Sequence, residues 1–187
     1  MKKDRSGYTH EVRLLTFGHG TLTQEDIARL VAGAGLERVV DVRTTPKSRR
    51  HPWVWREEME RWLQPESGAA YEWAPQLGGR RKTSPQSHNI ALRHPAFRGY
   101  ADYMETPPFR EALHSLVESL AEKRTAIMCS ETLWWRCHRR LISDACVLLY
   151  SVDVQHLDAR GQLKAHVLTE GVRRAGDVLR YDAGVAA

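Results

Sequence analysis

No apolar run in this chain approaches the roughly 20 residues that a bilayer-spanning helix requires. The basic opening Met1-Lys2-Lys3-Asp4-Arg5 leads into no apolar stretch of the kind a secretory signal carries. Both absences lead us to expect a cytoplasmic protein with no membrane partner. Cysteine is scarce, with three residues in 187, unevenly spaced. That excludes the disulfide framework of a small secreted domain and favours reduced thiols. Internal repeats and linker-like segments are also lacking. One α/β domain is therefore expected over 1–187, and this length can bury a substantial core. There is no acidic excess. The net charge of +5 and a pI near 9.3 suit a polyanionic partner without requiring one.

What the chain does have is a concentration of reactive side chains between Thr125 and Arg140. The run Ala126-Ile127-Met128 ends at Cys129 and has the length and flanks of a buried strand. A polar loop with Trp134 and Trp135 follows. Cys137-His138-Arg139-Arg140 then opens a segment in which Leu141, Ala145 and Leu148 recur at helical spacing. At such a helix start, unpaired N–H groups and the dipole favour an anion, either a thiolate or a bound phosphate. Cys129, Glu131, Cys137 and His138 are the candidate catalytic groups, and Arg136 and Arg139 the candidate anion contacts. Cys146 falls inside the helix and reads as core.

Upstream, Val12–Phe17 reads as a first strand ended by Gly18-His19-Gly20, which puts His19 where open α/β sheets bind ligands. Thr23 and Asp26 have the spacing of a capping box, starting a helix through Ile27, Leu30 and Val31. Leu36–Arg43 is Val-rich like a parallel strand and completes a βαβ unit. Asp41 and Arg43, two apart, share a face. They are either substrate contacts or an ion pair that ties down a loop. The basic loop 44–52, with Ser48, has the composition of a phosphate-contact or a solvated segment. Trp53 and Trp55 lead into a helix over Glu57–Leu63, and Ala70–Trp73 reads as a short strand.

Gly78 and Gly79 then permit unusual backbone angles beside Arg80-Arg81-Lys82, which can grip a polyanion. The polar stretch up to His94 is read as a mobile lid or a solvated loop. Two helices follow, one through Phe97, Tyr100 and Met104. The other starts at Thr106-Pro107 and carries the stripe Phe109, Leu113, Leu116 and Leu120. After the Cys137 helix, Val152–Leu157 alternates as a strand. The tail is expected to hold a short helix around Leu168–Arg173 and a loose end.

Gly18-His19, Asp41-Val42-Arg43 with Pro46 and Ser48, Leu77-Gly78-Gly79, and Cys129-x-Glu131-x5-Cys137-His138-Arg139 together resemble the domain-of-unknown-function 488 family. The resemblance covers about residues 12–157, leaving 158–187 as a C-terminal extension. It implies a compact α/β domain and names no reaction. Leu133-Trp134-Trp135 stands where the family's pattern is polar or Pro-containing. More loosely, a strand ending in Asp-Val-Arg and a later strand delivering Cys129 into a loop before a helix are similar to rhodaneses. There the cysteine is the nucleophile, although Glu131 within the loop departs from that pattern.

Three readings of the cluster remain open. Cys129 or Cys137 is a nucleophile activated by the helix start and Arg, with Glu131 or His138 moving the proton. Alternatively, Cys129, Cys137 and His138 hold a metal, although Cys-x7-Cys-His is not a usual zinc spacing and neighbours on a helix diverge by about 100°. Or both thiols are buried hydrophobes, with Cys137 turned by helical phase toward Leu141. The expected architecture is a three-layer α/β domain with a mainly parallel sheet. Its site binds a phosphate-bearing small molecule or nucleic acid through His19, Asp41, Arg43, Ser48, Gly78, Gly79, Arg136 and Arg139. No cofactor or resident metal is invoked, and the alternative is a non-catalytic nucleic-acid-binding module.

Overall fold

Strands apolar on both faces must be covered on both sides, and the layout follows from that rule. A computed structural model describes residues 12–183. Five strands run parallel: β1 (Arg13–Gly18), β2 (Arg38–Asp41), β3 (Ala70–Trp73), β4 (Thr125–Cys129) and β5 (Asp153–Leu157). A short antiparallel strand, β6 (Leu163–Ala165), pairs with β5, giving the order β3-β2-β4-β1-β5-β6. Every residue of β4, at the centre, is buried.

Helices α1 (Gln24–Gly33) and α2 (Arg56–Ser67) lie on one face, where Ile27, Val31, Met59 and Leu63 meet Leu15, Phe17, Val39 and Met128. The opposite face carries α3 (Pro95–Met104), α4 (Pro107–Ser119) and α5 (Arg139–Tyr150). Tyr100, Phe109, Leu141 and Ile142 there join Leu14, Val40, Val42 and Ile127. Alternate residues of β1, β2 and β4 thus feed two separate cores. The Thr23 side chain caps α1 by accepting from the Asp26 N–H, and the Asp26 carboxylate accepts in return from the Thr23 N–H. Such a cap contributes about 0.5–2 kcal/mol.

Neighbouring strands β1 and β4 send their chains to opposite faces, β1 into α1 and β4 into α5. That is a topological switch point, and in open α/β sheets the crevice outside the strands' carboxyl ends there is where ligands bind. His19 and Cys129 both leave the sheet at this crevice.

Two expectations about the chain are corrected. The tail holds no helix at Leu168–Arg173. Instead β7 (Val172–Ala175) and β8 (Val178–Tyr181) form an antiparallel hairpin. Its two-residue turn is Gly176-Asp177, with Gly176 at φ 68°, a hairpin signal that outweighs weak helical periodicity. Leu179 and Tyr181 pack into the core beneath α3–α5. The stretch before His94 is no free lid either. Ser84, Ser87 and Asn89 all donate to Asp102 of α3, and the Ala91 N–H donates to the Tyr181 carbonyl. The expected loose end of the chain lies outside the described residues.

Candidate active site

Backbone pairing sets the floor of the site. The ladder between β1 and β4 continues past both strands: the His19 N–H donates to the Cys129 carbonyl at 2.9 Å and the Gly20 N–H to Ser130 at 3.0 Å. The loop after Cys129 is thereby laid over Gly18, where any side chain would collide with the Glu131 carbonyl. The same carbonyl accepts from the Arg139 guanidinium. Glycine at 18 is what lets this loop sit down on the sheet.

Above this floor lies a cavity of about 660 Å³. Its walls carry Arg43, Lys47, Arg80 and Arg136 against one carboxylate, Glu131. Phe97, Tyr100 and Trp135 supply aromatic surface, and Trp135 is 47 % exposed. Arg43 is neutralised from behind by Asp41, which leaves three cations and one acid on the walls.

Cys129, Cys137 and His138 meet at its base, with their ligand-forming atoms all within 4.8 Å of one another. His138 Nε2 lies 2.9 Å from the Val42 carbonyl, a contact only an N–H can satisfy. The proton is therefore on Nε2, and Nδ1 turns its lone pair to the thiols, 4.0 Å from Cys129 Sγ and 3.7 Å from Cys137 Sγ. Tyr100 packs edge-on against the ring at 5.1 Å. Gly79 presses from another side, where a Cβ would come within 3.0 Å of Nδ1. The Cys137 thiol, and after it His138, hold the Cys129 thiol well below its usual range, against the opposing effect of burial. The neighbouring Cys129 thiol, and then burial, push Cys137 well up. Cys146, sealed in the core, is pushed up by burial to about 12.

Cys137 is buried in one core cluster with Leu141 and Ala145, as expected, although it reaches that place from outside the helix. α5 begins at Arg139, so Cys137 precedes it in an extended conformation, φ −122° and ψ 151°, and lines the cavity beside Cys129. Two candidate substrate contacts are structural. Asp41 is fully buried behind the wall, where it receives Arg43 in a bidentate pair and the Tyr71 hydroxyl at 2.7 Å. Arg139 is also buried, donating its Nε–H to Cys137 Sγ at 3.3 Å. Gly78 packs on Thr44 outside the lining. His19, Arg43, Ser48, Gly79, Glu131 and Arg136 do line the cavity.

Of these, His19 has both ring nitrogens engaged. Nδ1–H donates to the Gly20 carbonyl at 3.1 Å, and Nε2 accepts from Arg43 at 3.2 Å. Burial and then the Arg43 charge lower its pKa from 6.5 to about 4, so it stands neutral. The Glu131 carboxylate accepts from the Leu133 N–H in its own loop. Lys47, Arg80 and Tyr100 belong to the site as well. Among the described residues, Arg80 is one of two non-glycine residues with positive φ, at 61°, and backbone strain of this kind gathers at functional sites. The Arg80-Arg81-Lys82 run was the sequence signal for it, whereas Tyr100 had the spacing of a plain core residue.

A family model described as "Domain of unknown function DUF488" matches residues 23–146. The chain belongs to the DUF488 family. Neither the curated proteins nor the solved structures contain a significant match to it.

The matched segment of this DUF488 protein contains the whole Cys129–His138 cluster, while β1, β5 and the hairpin lie outside it. The unusual Leu133-Trp134-Trp135 has a local cause. Trp134 stacks flat on His156 of β5, with centroids 4.0 Å apart and planes at 6°. Beneath it runs a buried chain of hydrogen bonds. Thr16 meets His156 at 2.7 Å, His156 meets His166 at 2.9 Å, and His166 donates to Asp144 at 2.9 Å. Trp134 thus anchors the site loop to the sheet while Trp135 faces the cavity. Among the described residues, no helix is long and apolar enough to cross a membrane.

Proposed function

We propose that this domain is an enzyme acting on a phosphate-bearing substrate, a nucleotide or a nucleic acid, with Cys129 as its nucleophile. The observation that carries the reading is the His138 Nδ1 lone pair facing Cys129 Sγ at the base of a cationic cavity. His138 takes the thiol proton at Nδ1. Sγ then forms a bond to the electrophilic atom of the substrate, and the bond to the leaving group breaks as His138 returns the proton to it. Water, or a second acceptor in a transferase, displaces the sulfur and restores the thiol. Lys47, Arg80 and Arg136 hold phosphate oxygens, Arg43 is fixed at the wall by Asp41, and Phe97 and Trp135 offer faces for a base. The chemistry needs no cofactor and suits the reducing cytoplasm.

The same cations and aromatics also support a non-catalytic nucleic-acid-binding module, which would make no use of the thiols. A panel of nucleotides and single-stranded oligonucleotides separates the two. The enzyme reading expects turnover that Cys129→Ser abolishes while binding persists. Binding with a steep salt dependence, no turnover and no response to Cys129→Ser would leave the binding module standing.

A further inference from the structure

We propose that Cys129, Cys137 and His138 form a zinc site whose fourth coordination position opens into the cavity. Two thiols and an imidazole are donors that zinc prefers, and three protein ligands with one open position is the pattern of reactive zinc sites. The spacing is close to what the ion needs. Tetrahedral zinc, with Zn–S about 2.3 Å and Zn–N about 2.0 Å, sets its sulfur and nitrogen donors about 3.5 Å apart and two sulfurs about 3.8 Å apart. Here His138 Nδ1 stands 3.7 Å from Cys137 Sγ and 4.0 Å from Cys129 Sγ, and no pair exceeds 4.8 Å. Every pair closes with a shift of about 1 Å or less.

The surroundings fit as well. His138 gives its Nε2–H to the Val42 carbonyl, the outer contact that orients a metal-binding imidazole and leaves Nδ1 free. The Arg139 Nε–H on Cys137 Sγ tempers thiolate charge. Adjacent side chains converge because Cys137 is extended and His138, at φ −61° and ψ −18°, is the helix cap, so the splay expected of two helical neighbours does not arise. All three residues line the cavity, so the open position takes water or a substrate oxygen. Binding releases to solvent whatever protons the thiols still carry.

Zinc and the free-thiol nucleophile compete for the same sulfur, since a zinc-bound Cys129 shares its thiolate charge with the metal and attacks more slowly. The inference rests on the same cluster as the thiol-enzyme reading and not on its substrate. Chelator-stripped protein is titrated with Co²⁺, then Zn²⁺, while iodoacetamide labelling of Cys129 is followed by peptide mapping. We expect one equivalent of Co²⁺ with thiolate-to-metal charge-transfer absorption, its displacement by zinc, and at least about tenfold slower Cys129 labelling with zinc bound. Cys129→Ser and Cys137→Ser should each lower zinc affinity by about a hundredfold or more, and Cys146→Ser should not. Circular dichroism checks that the serine variants fold, and the wild-type titration decides the matter if they do not. Absence of the charge-transfer band, or undiminished affinity in both folded serine variants, overturns the site. Metal-free turnover without cobalt uptake rejects zinc and keeps the thiol enzyme. Stoichiometric zinc without metal-free turnover supports zinc and rejects the thiol enzyme.

Discussion

His138 donates its Nε2–H to the Val42 carbonyl across 2.9 Å, joining the start of α5 to the exit of β2. The Val42 N–H is itself bonded to the Met128 carbonyl of β4 at 3.0 Å, which fixes this stretch of backbone. The ring is therefore held with Nδ1 toward the thiols whether or not anything is bound. Of those thiols, Cys129 is held low by Cys137 and His138, Cys137 is pushed up, and Cys146 is pushed up to about 12. In metal-free protein at neutral pH, Cys129 should alkylate at least about tenfold faster than either of the others, because the thiolate is the reactive form. His138→Ala should narrow that lead. Peptide mapping after a short iodoacetamide pulse measures both, and equal, slow labelling of all three would retire Cys129 as nucleophile.

Asp41 and Arg43 form a second fixed element. The carboxylate is fully buried, and the guanidinium also donates to the Val54 carbonyl at 2.8 Å. Removing one partner leaves an uncompensated buried charge, at a cost of about 3–5 kcal/mol. Asp41→Ala should therefore lower unfolding free energy by that amount in urea titrations. The double variant Asp41→Ala with Arg43→Met should recover part of the loss. A full loss in both would mean that packing, and not charge, is what the pair supplies.

The sheet was legible because each central strand writes its own burial: Val39-Val40 and Ala126-Ile127-Met128 are apolar on both faces. The capping residues Thr23 and Asp26 were legible for the same local reason. Side-chain roles at the site depended on where α5 starts. Cys137 is buried with Leu141 as expected, but its extended conformation before α5 also sets it against Cys129 and His138 at the cavity. Asp41 was recognisable as a charged residue at a strand end, but only its burial distinguishes a support for Arg43 from a ligand contact. Tyr100 sits at a core spacing and touches His138, and no local pattern separates those two facts. The tail's hairpin is set by the two-residue turn Gly176-Asp177, which lies beyond the Leu168–Arg173 stretch where a helix is expected.

Gly79 offers a finer probe of the ring. An added methyl there would lie 3.0 Å from His138 Nδ1, close enough to push the imidazole. Its backbone needs no left-handed angle, and its carbonyl accepts from Thr44 Oγ1 at 2.7 Å. Gly79→Ala should cost about 1–3 kcal/mol as overpacking does, and slow Cys129 labelling more than it changes Cys146. Unchanged Cys129 kinetics in a folded Gly79→Ala protein would show that the ring position does not govern the thiol.

The last prediction concerns pH and the chain beneath Trp134. Burial first, then the facing His166 and Arg139, lowers the His156 pKa from 6.5 to about 3. With His166 donating to Asp144, its Nδ1 accepts from His156 Nε2–H, and His156 Nδ1 accepts from the Thr16 hydroxyl. Neutral His156 thus uses both nitrogens. Folded protein leaves it unprotonated at pH values where the unfolded chain protonates it. Its contribution to stability is complete above pH 6.5 and is lost as pH falls toward 3, below which both states carry the proton. One proton taken up on unfolding gives a slope of about 1.4 kcal/mol per pH unit inside that window. His19, lowered to about 4, adds a slope of its own, so the difference between wild type and His156→Gln isolates this one. Urea titrations from about pH 6 to about pH 4 should give the variant a shallower dependence by about one proton. Parallel dependences would mean that His156 takes its proton while the protein is still folded, with Thr16 turning to accept it.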